Sequence, residues 1–433
     1  MSAAAHRLPD HLHPRLAALR DDPSGEAAFW EEIARERAPL VEPDGTPGHS
    51  IVTYVFAAPE GASHVVVSPG SFGNVRDNVM DRIAGTNVCH AAYRYRDDLR
   101  ATYSFLPDAP LVPFEEASEA EIAEMMAFMR AHAPVPDPHA RDHFLINYGG
   151  YAPAQDTSML ALPDAPAQPL VRLEDGVAHG RGVELHMFKS DILGNERRIW
   201  IYTPPGYDAS RAAPYPVLVA FDGGGALSTM PTQRILDNLA ADGRIAPHVG
   251  VFIDNPTDTS RNDDLPCSEP FAQFFEEELL PWLRGKYHVS HAAKDHTVTG
   301  VSYGGLASMW FGYRLSHLVG TVISQAASLW WGPGWAMFKP MSAQQYEPEW
   351  LIEQYVASPR LPVRFWMEIG LLEHPERMLE TNRRMKAVLE AKGYDLTYSE
   401  PCGGHDYAIW RGTLGEALAH MLPASQLADA AAG

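Results

Sequence analysis

The chain has 433 residues, 45% of them apolar, and a formal net charge of −21. That length is too great for one compact core and implies two domains, while so acidic a balance argues against nucleic acid or an acidic membrane as partner. No run approaches the roughly 18 apolar residues of a membrane span. The opening Met1 to Arg7 lacks the basic and apolar blocks of a secretion signal, so a cytoplasmic location is expected. Cys89, Cys267 and Cys402 are an odd count without CxxC spacing and read as free thiols, with no metal site. His6, His11 and His13 lie in a Pro-rich leader and read as part of a frayed terminus.

In chain order, short β-rich runs at 51–56, 64–68 and 90–95, separated by Gly, Pro and Asn/Asp turns, read as a β-sandwich. One helix is predicted over 117–132. A Pro/Ala/Asp-rich connector, Leu162-Pro163-Asp164-Ala165-Pro166-Ala167-Gln168-Pro169, closes that unit. The expected division is therefore an N-terminal sandwich over 1–160, a linker over 161–180 and a second domain over 181–425. In the second domain, strands are predicted at 182–189, 198–203, 216–221, 249–254, 296–299, 319–325, 363–369 and 395–399. Between most of them, helices at Thr232–Ala241, 270–286, 305–317, 375–392 and 412–421 carry apolar residues at helical spacing. This alternation predicts a mostly parallel sheet covered on both faces, with functional loops at the carboxyl ends of its strands.

Gly300-Val301-Ser302-Tyr303-Gly304 joins a predicted strand to a predicted helix, the setting of a nucleophile elbow. Glycines two positions either side of Ser302 leave room for a turn that presents its hydroxyl above a helix N-terminus. A neutral hydroxyl is a poor nucleophile and needs a base. Gly403-Gly404-His405-Asp406-Tyr407 follows the last strand, where that base belongs in the order serine, acid, histidine. The acid that orients the imidazole is expected after the strand at 363–369. Glu373, in the loop beyond Gly370-Leu371-Leu372, fits that place. Glu368 inside the strand, Asp406 beside the histidine, and a serine–histidine dyad are the alternatives. For the oxyanion of acyl transfer, backbone amides are needed: Tyr303 supplies one, and Gly224 in Asp222-Gly223-Gly224-Gly225 is expected to supply the second. These parts together describe a serine hydrolase.

The segments 254–267, 300–305, Ser328-Leu329-Trp330-Trp331 and 403–411 resemble, in order, signatures of the enterochelin esterase family. Segments 52–56, 80–86, 102–105 and 158–166 resemble its immunoglobulin-like N-terminal domain, so the resemblance spans nearly the whole chain. It implies an α/β-hydrolase preceded by an immunoglobulin-like sandwich that caps the substrate. It also implies a serine esterase that opens the trilactone ester bonds of a tris-catecholate siderophore such as enterobactin, or of its ferric complex. The partner would be that small molecule, with no resident cofactor and iron present only as part of the substrate. Family members more often carry a single glycine and then a larger residue where this chain has Gly223 to Gly225.

Within so acidic a chain, an anionic catecholate needs local guanidinium groups, which fork onto phenolate oxygens and stack on rings. Arg261 and Arg411 are the candidates, with a structural salt bridge to Asp264 or Asp406 as the other use of each. Trp330 and Trp331 are candidates to wall the pocket. Two other readings compete: an esterase or acyltransferase of the same fold acting on another aryl or feruloyl-type ester, and a non-catalytic binding protein. Oligomeric state is not legible.

Overall fold

The computed structural model describes residues 5–68, 75–149, 153–173, 176–180 and 182–423. Its first half is built from β1 (Ala5–Arg7), β2 (Leu40–Pro43), β3 (His49–Ala57), β4 (Val65–Ser68), β5 (Asp81–Arg82), β6 (Val88–Arg96), β7 (Arg100–Pro107), β8 (Asp142–Ile146) and β9 (Gln155–Ala161). They form two antiparallel sheets, one in the order β1-β6-β3-β2 with β5 also on β6, the other in the order β4-β7-β9-β8. Val52, Tyr54, Phe56, Tyr93, Tyr95, Tyr103 and Phe105 bury an aromatic core in this unit, the sandwich expected from the sequence.

Two helices unforeseen in the sequence, α1 (Pro14–Asp21) and α2 (Glu26–Glu36), pack Leu16, Leu19, Phe29 and Ile33 against Leu40, Val55 and Val88. The leader is accordingly ordered from Ala5, not frayed: β1 pairs with β6, and the imidazoles of His11 and His13 each lie 3.3 Å from a Glu42 carboxylate oxygen. Helix α3 (Glu119–Ala131) starts at a capping box between Ser118 and Glu121, which satisfies first-turn donors.

The second half carries β10 (Val183–Ser190), β11 (Asn195–Tyr202), β12 (Val217–Ala220), β13 (Val249–Ile253), β14 (His296–Val301), β15 (Thr321–Gln325), β16 (Arg364–Glu368) and β17 (Leu396–Ser399). One sheet holds them in the order β10-β11-β13-β12-β14-β15-β16-β17, parallel from β13 onward. Along β12, Val217 and Val219 face one core while Leu218 and Ala220 face the other. Burial on both faces explains why these strands read as near-continuous apolar runs.

The helices are α4 (Gly223–Ser228), α5 (Thr232–Ala241), α6 (Asp258–Asp264), α7 (Glu269–Gln273), α8 (Leu280–Lys286), α9 (Tyr303–Arg314), α10 (Trp350–Ala357), α11 (Thr381–Ala391) and α12 (Tyr407–Met421). Of the two long helices expected, the one at 270–286 is interrupted by a π-helical turn, Phe274–Leu279, and the one at 375–392 begins with another, Pro375–Glu380. β12 is flanked by β13, which follows it, and by β14, which returns on its other side. The crevice where the order reverses lies at the carboxyl ends of β12 and β14, where ligands bind in open α/β sheets. The expected second domain at 181–425 includes positions 181, 424 and 425, which lie outside the described residues.

Candidate active site

β14 ends at Val301 and α9 begins at Tyr303, so Ser302 alone turns the chain, at φ 58° and ψ −118°. That backbone is strained for a non-glycine residue by about 1–3 kcal/mol, and its neighbours hold it in place. Ser302 N–H donates to Gln325 O at 3.0 Å, and its carbonyl accepts from Leu306 N at 3.0 Å and Ser328 N at 3.2 Å. Gly300 is required below the turn, because a Cβ there would meet the carbonyl of Gly304 at 2.5 Å. Among the described residues, the hydrogen-bonding partner of Ser302 Oγ is Ser328 Oγ at 3.4 Å. Tyr303, as the first residue of α9, has an N–H that the helix leaves without an internal acceptor.

The loops after β16 and β17 are tied together by Leu371 N–H to Pro401 O (3.0 Å) and Leu372 N–H to Gly403 O (2.9 Å). This pairing brings Glu373 Oε1 to 2.9 Å from His405 Nδ1. Glu373 is 1% exposed, and its Oε2 has no hydrogen-bond partner among the described residues. A carboxylate oxygen at that distance suits the tautomer that donates from Nδ1, in which Nε2 is the accepting ring nitrogen. The imidazole meets Trp410 edge-on at 4.8 Å. Trp410 in turn offers its carbonyl to Gln325 Nε2 at 2.9 Å, so Gln325 ties the turn at Ser302 to the helix behind His405.

The other two carboxylates weighed in the sequence have different surroundings. Glu368 is buried and accepts from Thr413 Oγ1 at 2.7 Å, Gln325 Nε2 at 3.1 Å and Trp366 Nε1 at 3.4 Å; burial pushes its carboxyl up to about 7. Asp406 caps α12 by accepting from Ala408 N at 2.8 Å, and its second oxygen accepts from Thr102 N of the N-terminal domain. Burial raises its pKa as well. The carboxylate on His405 Nδ1 is that of Glu373.

Arg261 places Nε and Nη2 at 2.7 and 2.8 Å from the two carboxylate oxygens of Asp222, a bidentate pair that Asn255 Nδ2 joins at 2.6 Å. Asp264, the ion-pair partner considered for Arg261, instead holds the buried Arg197 at 2.9 Å. Asp222 sits at φ 52° just before α4, so Arg261 anchors the entry to the glycine segment. The segment expected to be a loop is the first turn of α4, and Gly224 N–H lies 3.4 Å from Asp254 Oδ1.

The run of glycines has a steric cause in the N-terminal domain. A Cβ on Gly149 would lie 2.3 Å from Gly224 Cα, and one on Gly224 would lie 2.5 Å from Tyr148 O. Asn147 secures this backbone contact, accepting from Ser228 Oγ (2.6 Å) and Thr229 Oγ1 (2.8 Å). The same domain braces the other two loops. Thr102 N holds Asp406, Arg100 N–H donates to Cys402 O at 3.3 Å, and Leu372 and Cys402 are buried in the sandwich core. Gly149→Ala should therefore lower ester turnover at least tenfold and reduce stability by a few kcal/mol, because the clash is with backbone and φ is +76°. Wild-type turnover in that variant would show that this contact does not shape the site.

Arg411 belongs to this domain seam and not to the aromatic wall. Its Nε donates to Gln168 Oε1 at 2.8 Å, and its guanidinium lies over Phe144 at 4.5 Å. Trp330 stands beside Tyr303, with ring centroids 6.2 Å apart, and meets Trp335 edge to face at 4.7 Å. Trp331 packs on the core, and its backbone N–H donates to Ser328 O at 3.0 Å. Sequence reasoning missed Trp335 and Arg377, whose guanidinium lies 4.2 Å from the Trp330 ring. It also gave no role to Tyr148 and Tyr407, whose rings are 6.1 Å apart across the domain seam. The Trp-rich stretch 330–335 was a usable signal for the first of these. Among the described residues, no group of three or more His, Cys, Asp or Glu is arranged to hold a metal, and no helix is long and apolar enough to cross a membrane.

A mostly parallel sheet with a strained serine turn at its switch point, and an imidazole–carboxylate pair on loops at the same end, defines an α/β-hydrolase. The chain belongs to the putative esterase family, whose model matches residues 190–421, and residues 51–171 match the enterochelin esterase N-terminal domain. It is a carboxylic ester hydrolase of the enterochelin esterase family. It is 28% identical to the iron(III) enterobactin esterase of Dickeya dadantii, over 92% of this chain and 94% of the relative. The Escherichia coli K12 enzyme of the same name is 28% identical over 94% of this chain and 93% of its own. The crystal structure of the Shigella flexneri enterobactin esterase, determined in the presence of enterobactin, matches with a TM-score of 0.69 at 25% identity, covering 92% of this chain and 98% of that one.

Proposed function

We propose that this protein hydrolyses the trilactone ester bonds of a tris-catecholate siderophore, or of its ferric complex, through an acyl-enzyme on Ser302. The observation that carries the reading is the bond between His405 and the buried Glu373, on loops at the same end of the sheet as the strained turn at Ser302, in a chain similar over 92% of its length to an iron(III) enterobactin esterase. Ser302 Oγ attacks the ester carbonyl while His405 Nε2 takes the hydroxyl proton. Glu373 holds the imidazole in the required tautomer and stabilises the imidazolium that forms. The oxyanion is met by Tyr303 N–H and, as the contact with Asp254 lengthens, by Gly224 N–H. Collapse breaks the ester C–O bond, and the departing alkoxide takes the proton from His405. Water then repeats the sequence on the acyl-enzyme, releasing the acid and restoring Ser302. The 3.4 Å contact to Ser328 is weak enough for Oγ to exchange it for His405 when substrate enters, and apo catalytic contacts are often loose in this way.

In this reading Arg261 acts by holding Asp222 and the glycine turn, and Trp330 walls the acyl pocket. No resident cofactor is required, iron enters only with the substrate, and the reaction takes place in the cytoplasm. Incubating the protein with apo and ferric enterobactin, followed by mass analysis, should show the linear trimer, then the dimer, then 2,3-dihydroxybenzoylserine. Persistence of the intact trilactone under conditions where p-nitrophenyl acetate is cleaved would reject the substrate. Transfer of the acyl group to an added alcohol in preference to water would reassign the reaction as acyl transfer.

A further inference from the structure

Arg377 lies in the π-helical turn Pro375–Glu380, four residues beyond Glu373. Its guanidinium is 4.2 Å from the Trp330 ring and 5.1 Å from the Trp335 ring. Because Trp330 abuts Tyr303, the residue after Ser302, this cation is built into the wall that begins at the nucleophile. Its carboxylate neighbour is Glu115 of the N-terminal domain, at 3.8 Å, beyond hydrogen-bonding distance and on a side chain 46% exposed. Such an exposed pair contributes little. Among the described residues the Arg377 guanidinium makes no hydrogen bond, and its side chain is 22% exposed. Arg261 differs, with Nε and Nη2 engaged by Asp222, as does Arg411, held by Gln168.

We propose that Arg377, Trp330 and Trp335 form the subsite that reads the acyl group, and that it takes a planar aryl ring whose neighbouring oxygens are ionised or metal-bound. The ring stacks on the indoles, and the planar fork of Arg377 donates to two oxygens at once, displacing Glu115. The proposal rests on the siderophore-esterase reading and adds the element that recognises the charge of the acyl group. It also resolves how a chain of net charge −21 attracts an anionic ligand: the cation is local and already oriented by two rings.

The test uses 2,3-dihydroxybenzoylserine and its 2,3-dimethoxy analogue as competitive inhibitors of p-nitrophenyl acetate hydrolysis. Both carry the serine carboxylate, and only the first has ionisable ring oxygens. Arg377→Met should raise the inhibition constant of the dihydroxy compound about tenfold or more and leave that of the dimethoxy compound within about twofold. Arg377→Lys should recover part of the loss, since an ammonium cannot fork. Equal constants for the dihydroxy compound in wild type and Arg377→Met would overturn the subsite, as would parallel losses for both compounds. Neither readout needs trilactone turnover, so failure of the subsite is distinguishable from failure of the substrate assignment.

Discussion

Ser302→Ala should lower ester hydrolysis by on the order of 10⁴-fold or more, leaving only the residual rate that an oxyanion site and substrate binding sustain without a nucleophile. The fold should survive intact. Oγ makes one long contact, to Ser328 at 3.4 Å, and the backbone bonds that hold the turn belong to main-chain atoms the substitution keeps. Alanine also retains the Cβ that already tolerates φ 58°. The unfolding temperature should therefore stay within about 2 °C of wild type. Loss of activity accompanied by a large fall in melting temperature would point to a structural role for the hydroxyl, and undiminished turnover would remove Ser302 from the mechanism.

Glu373→Gln and Glu368→Gln should separate a carboxylate that orients the base from one that supports the sheet. At position 373, an amide N–H facing His405 Nδ1 stabilises the tautomer with hydrogen on Nε2, which cannot accept the Ser302 proton, so kcat should fall by roughly 10³–10⁴-fold. At position 368 the side chain contacts Gln325, Thr413 and Trp366, and turnover should stay within about tenfold of wild type. The reverse order would move the acid into β16.

Glu368 also has a signature in stability. Its carboxyl holds a proton up to about 7 in the folded protein, against an ordinary 4.5. Below 4.5 both folded and unfolded chains are protonated there and its full contribution is present. As pH rises from 4.5 through 7 the unfolded chain releases the proton first, and stability falls by about 3 kcal/mol. Glu368→Gln should flatten that decline in denaturant titrations between pH 4.5 and 7.

The parallel sheet was legible because its strands are buried on both faces and bounded by Gly and Pro, so apolar runs such as 249–254 and 319–325 mark them without ambiguity. The places of Ser302 after β14 and His405 after β17 were legible through chain order, since an elbow and a last loop fall where parallel strands end. Other features depend on partners distant in sequence. The first turn of α4 looked like a loop because three glycines disfavour a helix, yet Gly224 is glycine to admit the Tyr148 carbonyl. Arg411 sat in a motif segment, but its partners Gln168 and Phe144 come from before residue 170, and no local pattern announces them. Asp258–Asp264 is polar on every side and gave no helical period, while α1 and α2 were hidden by a leader read as terminal. Arg377 had no motif at all, and its meaning comes from Trp330 and Trp335, more than forty residues earlier.

The N-terminal domain does more than cover a cleft in this arrangement. Its Asn147–Gly149 segment presses on the glycine turn, its β7 holds the histidine loop, and its core takes in Leu372 beside the acid. Three loops at the ends of separate strands thus gain a shared support, which is what the proposed reaction requires, since small misplacements of reacting groups cost rate.

The most direct measurement is fluorophosphonate labelling followed by peptide mapping, with and without ferric enterobactin. A single adduct on Ser302 is expected, formed orders of magnitude more slowly in His405→Ala and suppressed by the siderophore. Labelling at another residue, or at Ser302 with a rate indifferent to both His405 and ferric enterobactin, would contradict it.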